Sequence, residues 1–287
     1  MFQCFFTSDL HGKIERYHSL FESIAQERPE AVFLGGDLLP ISFDRSWALD
    51  FAHQDFVQDL LIAGFRRLRE SLGPDYPEVF VILGNDDPRI EEAALLRAAT
   101  QGYWHYLHNH RVKLGSLTVY GYANVPPTPF QLKDWERYDV SRFVDLGALS
   151  PEEGVRSIPM SNNEIRYATI QGDLDLLAGK DDLGKAVFLF HAPPYQTKLD
   201  RAALDGRMID YVPLDVHIGS IAIRRFIEER QPWITLHGHV HESARLTGSW
   251  RDQMGRTHLF SGAHDGPELA LVRFDADDPA RATRALI

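Results

Sequence analysis

Asp9, His11, Asp37, Asn85, His191, His239 and His241 are the residues whose types and spacing could do chemistry together. Carboxylates, a side-chain amide oxygen and imidazoles are what a pair of divalent ions requires. Such ions sit roughly 3.5–4 Å apart, take about three protein ligands each, and share one carboxylate and a bridging hydroxide. Asp9 and His11 are two apart and, in extended backbone, turn to the same side of the chain, where they would serve a first metal. Asp37 follows Gly35 and Gly36, which let the backbone pack close, and supplies the shared carboxylate. Asn85 offers a neutral carbonyl oxygen and His191 an imidazole. His239 and His241, again two apart, could split between the metals. Mixed imidazole and carboxylate ligation suits Mn, Fe or Zn better than Ca or Mg. Two divalent cations set against two aspartates and a hydroxide leave about one positive charge in the site, which draws in an anionic phosphate.

The elements that must position these side chains are visible as short apolar runs, each ending in one of the polar clusters. The runs 2–6, 31–34, 79–83, 187–190 and 233–236 end at Asp9, Asp37, Asn85, His191 and His239 respectively. Continuous apolar runs of this length suit strands covered on both faces. Between them, residues 14–28, 47–72, 89–100 and 163–177 carry apolar side chains at helical spacing. Ser220 is placed to N-cap a helix through Arg230, which Pro232 then stops. Beyond Val240 the pattern changes to short strands near 243–247, 258–261 and 269–274. Alternating strands and helices followed by consecutive strands predict an α/β fold of two stacked sheets flanked by helices. Ligands of open α/β sheets bind at carboxyl ends of strands, where the clusters lie.

At 287 residues the chain is long enough for one large α/β domain, and a single domain over 1–287 is expected. A net charge of −11 leaves no basic stripe to neutralise a nucleic-acid backbone, so extended nucleic acids are not expected partners. The one cysteine, Cys4, lies inside an apolar run and reads as core. No basic leader precedes the first strand and no apolar run approaches membrane-spanning length, which leads to the expectation of a cytoplasmic protein without a membrane partner.

Asp9-Leu10-His11, Gly36-Asp37, Gly84-Asn85, His191 and Gly238-His239-Val240-His241 occur in this order and resemble the signature of the calcineurin-like metallophosphoesterases. The resemblance spans about residues 2–242. It implies a four-layer α/β/β/α sandwich with two stacked sheets. It also implies Asp9, His11, Asp37 and His241 as ligands of one metal, and Asp37, Asn85, His191 and His239 as ligands of the other. The stretches 188–195 and 217–220 look like the small bacterial and archaeal group related to cyclic-nucleotide phosphodiesterases.

One position departs from the pattern. Most members of this family carry a histidine after the Gly-Asn pair, facing the substrate phosphate, and here that residue is Asp86. An ionised carboxylate repels phosphate, so Asp86 serves catalysis only if protonated, turned away, or holding a water or metal ligand. Activity biased toward good leaving groups follows. His237 reads as structural, and Ser220 is accounted for by helix capping, with His217 beside it. His53, His264 and the histidines of 105–110 read as surface or core. Residues 124–138, rich in proline and aromatics, read as a rim or lid within an insertion around 124–160. Residues 195–216 carry Lys198, Arg201 and Arg207, any of which could meet an anion. The expected activity is hydrolysis of a phosphomonoester or phosphodiester on a small phosphorylated substrate by attack of a metal-bridging hydroxide. A nuclease acting on nucleic-acid ends and a non-catalytic metal- or ligand-binding module are the alternatives.

Overall fold

A computed structural model describes residues 2–40 and 55–287 of the chain. In chain order its elements are β1 (Gln3–Thr7), α1 (Ile14–Glu27), β2 (Ala31–Gly35), α2 (Ala63–Leu72), β3 (Glu78–Ile82), α3 (Glu92–Thr100) and β4 (His105–Tyr106). There follow β5 (His110–Leu114), β6 (Leu117–Tyr122), α4 (Asn162–Tyr167), α5 (Ile170–Ala178), β7 (Ala186–Phe190), β8 (Met208–Ile209) and β9 (Val212–Pro213). The chain closes with α6 (Ile221–Arg230), β10 (Ile234–His237), α7 (Ser243–Thr247), β11 (Arg251–Met254), β12 (Thr257–Ser261), β13 (Ala270–Asp275) and β14 (Thr283–Leu286).

Two six-stranded mixed sheets result, ordered β14-β13-β1-β2-β3-β4 and β11-β12-β10-β7-β6-β5. The five strands expected from the apolar runs ending in polar clusters are present. β1, β2 and β3 run parallel as neighbours in the first sheet, and β7 and β10 run parallel as neighbours in the second. Each strand is apolar on both faces because each face meets a different layer. Along β7, Val187 and Leu189 enter the core shared by the sheets, while Phe188 and Phe190 join Leu174 of α5 and Ile223 and Phe226 of α6. On the other side Tyr17, Leu20 and Ile24 of α1 and Phe65 and Leu68 of α2 pack on the first sheet. Phe260 of β12 and Phe274 of β13 meet between the sheets, ring centroids 5.6 Å apart. Truncating such a fully buried aromatic to alanine costs about 3–5 kcal/mol. The layers are therefore helices, sheet, sheet, helices, an α/β/β/α sandwich.

Three sequence expectations change. Residues 243–247 form the helix α7 rather than a strand. Both edges of β10 are already paired, with β7 and β12, so no sheet edge is free there, and Gly248 in the left-handed region ends the helix. The helix expected over 163–177 is two helices. The Tyr138 carbonyl accepts the Ile170 N–H (2.8 Å), drawing Ala168 and Thr169 into extended backbone, and Thr169 then caps α5 by accepting the Gly172 N–H. Of the helix expected over 47–72, residues 47–54 lie outside the described residues, as does His53. The rest is a π-helical turn, Val57–Ile62, continuing into α2. No helix of the described residues is long and apolar enough to cross a membrane. Cys4 is buried, as expected.

Candidate metal centre

The sheet ladder between β1 and β2 continues into the loops beyond them. Asp9 N donates to Gly36 O (2.9 Å), His11 N to Asp37 O (2.8 Å) and Gly12 N to Leu38 O (3.0 Å). Asp9, His11 and Asp37 all have positive φ, at 57°, 47° and 52°, and His239 follows at 73°. Such conformations cost non-glycine residues of order 1–3 kcal/mol each and persist only where the surroundings hold them. Asp9 and His11 therefore reach the same place from a left-handed loop, not from the extended backbone that their two-residue spacing suggested. Gly84 is required by closeness: a Cβ there would collide with Asp37 Oδ1 and stand 2.7 Å from His191 Cε1.

Ligand atoms of Asp9, His11, Asp37 and His241 all lie within 4.8 Å of one another. His11 Nε2 is 3.0 Å from His241 Nε2 and 3.9 Å from Asp37 Oδ2, and His241 Nε2 is 3.2 Å from Asp9 Oδ1. On the other flank of Asp37, His191 Nε2 stands 3.3 Å from Asp37 Oδ2 and 3.1 Å from Asn85 Oδ1. The His239 ring lies 5.3 Å from that of His191. Asp37 is thus the carboxylate common to both groups. Sequence positions up to 232 residues apart converge here.

Neighbouring groups orient the set. His191 donates from Nδ1 to Gly35 O (2.7 Å), which turns Nε2 toward Asp37. Asp9 accepts from Ser8 Oγ (2.5 Å) and from His239 N (3.0 Å). Asp37 Oδ1 accepts from Asp86 N (2.8 Å), leaving Oδ2 for the histidines. Three further residues, none of them expected as a site residue, hold these loops in place. Arg16 on α1 is buried and donates to the carbonyls of Asp9 and Gly266, pinning the first loop. Asp87, fully buried, accepts from Leu38 N, Leu39 N and Gly84 N (3.1, 2.7 and 2.9 Å), tying the Asp37 loop to the Asn85 loop. Trp135 donates from Nε1 to Asp87 O (2.8 Å) and joins the expected rim to the site.

Charge in this cluster is strongly shared. Burial opposes ionisation of Asp9, yet the hydrogen bond and charge of His241, with the charges of His191 and His11, hold its carboxyl far below the usual range. Burial likewise opposes ionisation of Asp37, but the charge and hydrogen bond of His191 bring it down to about 2. His191 resists its own burial and rises to about 10 beside Asp37 and Asp9. Burial, then the charge of His191, lowers His239 to about 3. Two buried carboxylates demand positive charge close by, which divalent ions would supply. The donor set fits such ions: two carboxylates, an amide oxygen and four imidazoles, with His239 Nδ1 and His11 Nδ1 buried and without hydrogen-bond partners.

Asp86 lines the cavity beside this cluster and accepts from Asn85 Nδ2 (2.9 Å). Burial and then the charge of Asp37 push its carboxyl up to about 7. His237 donates from Nδ1 to Ala192 O (2.9 Å) and lies 2.8 Å from Thr235 Oγ1, a structural role as expected. Ser220 caps α6 by accepting from Ile223 N (3.0 Å) and also donates to Asp139 (2.5 Å). His217 borders the cavity, its Nδ1 donating to the buried Asp200 (2.8 Å). Lys198, Arg201 and Arg207 are absent from the cavity lining, and Arg201 is engaged by Asp205 (2.6 Å).

The family model of the calcineurin-like phosphoesterases matches residues 3–243. Among solved structures, TT1561 of Thermus thermophilus is similar over 99% of this chain and 98% of its own, at 16% identity and TM-score 0.57. A dimetal phosphatase from Danio rerio is similar over 95% and 91%, at 12% identity and TM-score 0.51. Both likenesses are of fold. No curated protein matches the sequence. The chain belongs to the calcineurin-like phosphoesterase family.

Proposed function

Taking that membership as the premise, we propose that this chain holds two divalent ions, Mn or Fe with Zn as the alternative, and hydrolyses a phosphomonoester or phosphodiester of a small molecule. The observation that carries the reading is the position of Asp37, with Asp9, His11 and His241 on one flank and Asn85, His191 and His239 on the other. When bound, the ions supply a nucleophile by lowering the pKa of water and neutralise charge developing on phosphorus. The protein's part is to hold the donors. Gly35 O fixes the His191 tautomer, Ser8 and His239 N hold Asp9, and Asp86 N holds one oxygen of Asp37 so that the other faces the histidines. Asp86 itself stands beside this cluster and lines the cavity that a substrate phosphate would enter.

The test is a panel of phosphomonoesters and phosphodiesters assayed with added Mn²⁺, Fe²⁺ or Zn²⁺. Turnover that appears with metal and disappears on chelation is expected. Calorimetric titration of Mn²⁺ in buffers of different ionisation enthalpy should also register proton release as the ion displaces histidine protons. Absence of turnover together with absence of proton-coupled metal uptake would sink the reading.

A further inference from the structure

The cavity over the proposed centre has a volume of about 610 Å³. That is the size of a site for a drug-sized ligand, far beyond what a phosphate group fills. Asp37, Asn85, Asp86, His239 and His241 form its floor. Its walls are apolar: Pro126, Pro127 and Phe130 on one side, Ile209, Pro213 and Leu214 on the other. Phe143 and Leu146 continue the lining and stay open to solvent, 73% and 46% exposed, as does Phe130 at 54%. Large apolar side chains left exposed around a cavity mark a binding surface. The walls meet at Gly147, where a Cβ would stand 3.0 Å from Ile209 Cδ1 and 3.7 Å from Leu214 Cδ2.

The charge of the lining is one-sided. Among the described residues, no lysine or arginine lines the cavity, and beyond the floor its ionisable groups are Asp145, Asp215, Glu242 and His217. A second phosphate or a carboxylate on a substrate would meet carboxylates instead of the guanidinium groups that ordinarily receive it. An alkyl or aryl group, by contrast, would leave water for the proline, leucine and phenylalanine surface.

We propose that this cavity selects phosphoesters bearing a single phosphate and an apolar alcohol, seated between residues 126–148 and 202–218, and rejects substrates with a second anionic group. This rests on the phosphoesterase reading, and the experiment separates the two. The Mn²⁺-loaded full chain is assayed on 4-nitrophenyl phosphate and bis(4-nitrophenyl) phosphate, with methyl-, butyl- and octylphosphonate and 7-carboxyheptylphosphonate as competitors. Inhibition constants should fall by about 4-fold for each methylene that enters the walls. The carboxylate-ended competitor should bind at least about tenfold more weakly than octylphosphonate, since its charge must leave water among acidic groups. Ile209→Ser, which removes wall surface without adding charge at a position 37% exposed, should flatten the chain-length dependence across the alkylphosphonates. Turnover of the reporters with equal inhibition across the series overturns the cavity proposal and spares the hydrolase reading. Should neither reporter be turned over, the hydrolase reading is what fails. Calorimetric titration of the same phosphonates into the Mn²⁺-loaded protein then decides the cavity alone, rising affinity with chain length supporting it and equal affinity overturning it.

Discussion

The proposed metal centre beneath the cavity hangs from five strand ends, whereas the cavity walls are loop segments with little sheet beneath them. In that centre, polar side chains are fixed by main-chain ladders running past the strand ends, and loops take up positive φ to aim Asp9, His11, Asp37 and His239. The wall at 124–138 is held by short main-chain bridges, with Val125 N donating to Trp135 O (2.9 Å) and Lys133 N to Val155 O (2.8 Å), and by one buried ion pair. Lys133 donates to Glu136 (2.5 Å) and to Thr128 O (2.8 Å), and Glu136 accepts from Thr128 N (2.8 Å) and Thr128 Oγ1 (2.5 Å), all buried. Trp135 then bolts this knot to Asp87 under the floor. Strand ends thus supply the donors that the proposed chemistry requires, and a separately braced loop supplies the shape that would choose among substrates.

The comparison is broken most severely at its shared carboxylate. Asp37→Asn removes one negative charge from between the two ligand groups, and turnover should fall on the order of 10³-fold or more. Steady-state rates with saturating Mn²⁺, together with metal content, read this. Lys133→Met comes next and strikes the wall alone. Breaking a buried pair costs about 3–5 kcal/mol, so denaturant midpoints should fall while metal content of the folded protein is retained. Burial holds Glu136 up near 7, against the lowering effect of Lys133, from an ordinary value of 4.5. Its folded pKa is raised, so its favourable contribution is full below about 4.5 and is lost as pH rises through about 7. Without Lys133 that loss is steeper, and the variant should be much closer to wild type at pH 5 than at pH 8.

Smaller effects sharpen the contrast. Asp86→His places an imidazole where a carboxyl now faces the cavity. It should raise turnover of alkyl esters by about 10²-fold relative to aryl esters, the lower end of what a general acid supplies. An unchanged alkyl-to-aryl ratio would count against a leaving-group role at this position. Least of all, Lys198→Ala and Arg207→Ala should alter activity and stability negligibly, within about 0.5 kcal/mol. Lys198 Nζ sits 3.7 Å from Asp252 at the surface, and neither side chain lines the cavity. A rise in KM for an anionic substrate would show that the wall region does contribute a cation.

How much was legible follows from what each feature depends on. Asp9, Asp37, Asn85, His191 and His239 could be picked out because each follows an apolar run, and a buried strand tells where its polar end emerges. The split of 163–177 into two helices was invisible, since the break is set by Tyr138, distant in sequence. Residues 243–247 alternate like a strand, yet they wind as a helix in which Leu246 N donates to Glu242 O (2.9 Å) and Thr247 Oγ1 to Ser243 O (2.8 Å). Arg16, Asp87 and Trp135 show nothing in their own neighbourhoods of the chain, because what matters is which carbonyl or N–H each meets across the fold. Whether a cation of 195–216 reaches the cavity was left open by the sequence for the same reason: residue type is local, but facing a cavity is not.

By itself the sequence determined the donor chemistry and the strands that carry it, since residue types and apolar periodicity are properties of short stretches. Only the tertiary structure decided that Asp37 stands between the two ligand groups, that the chain there runs left-handed, and that the lining is apolar with no described lysine or arginine. Those are relations among segments as far apart as Asp9 and His241, and a distance of that kind is set by how two sheets pack, a quantity no single segment contains.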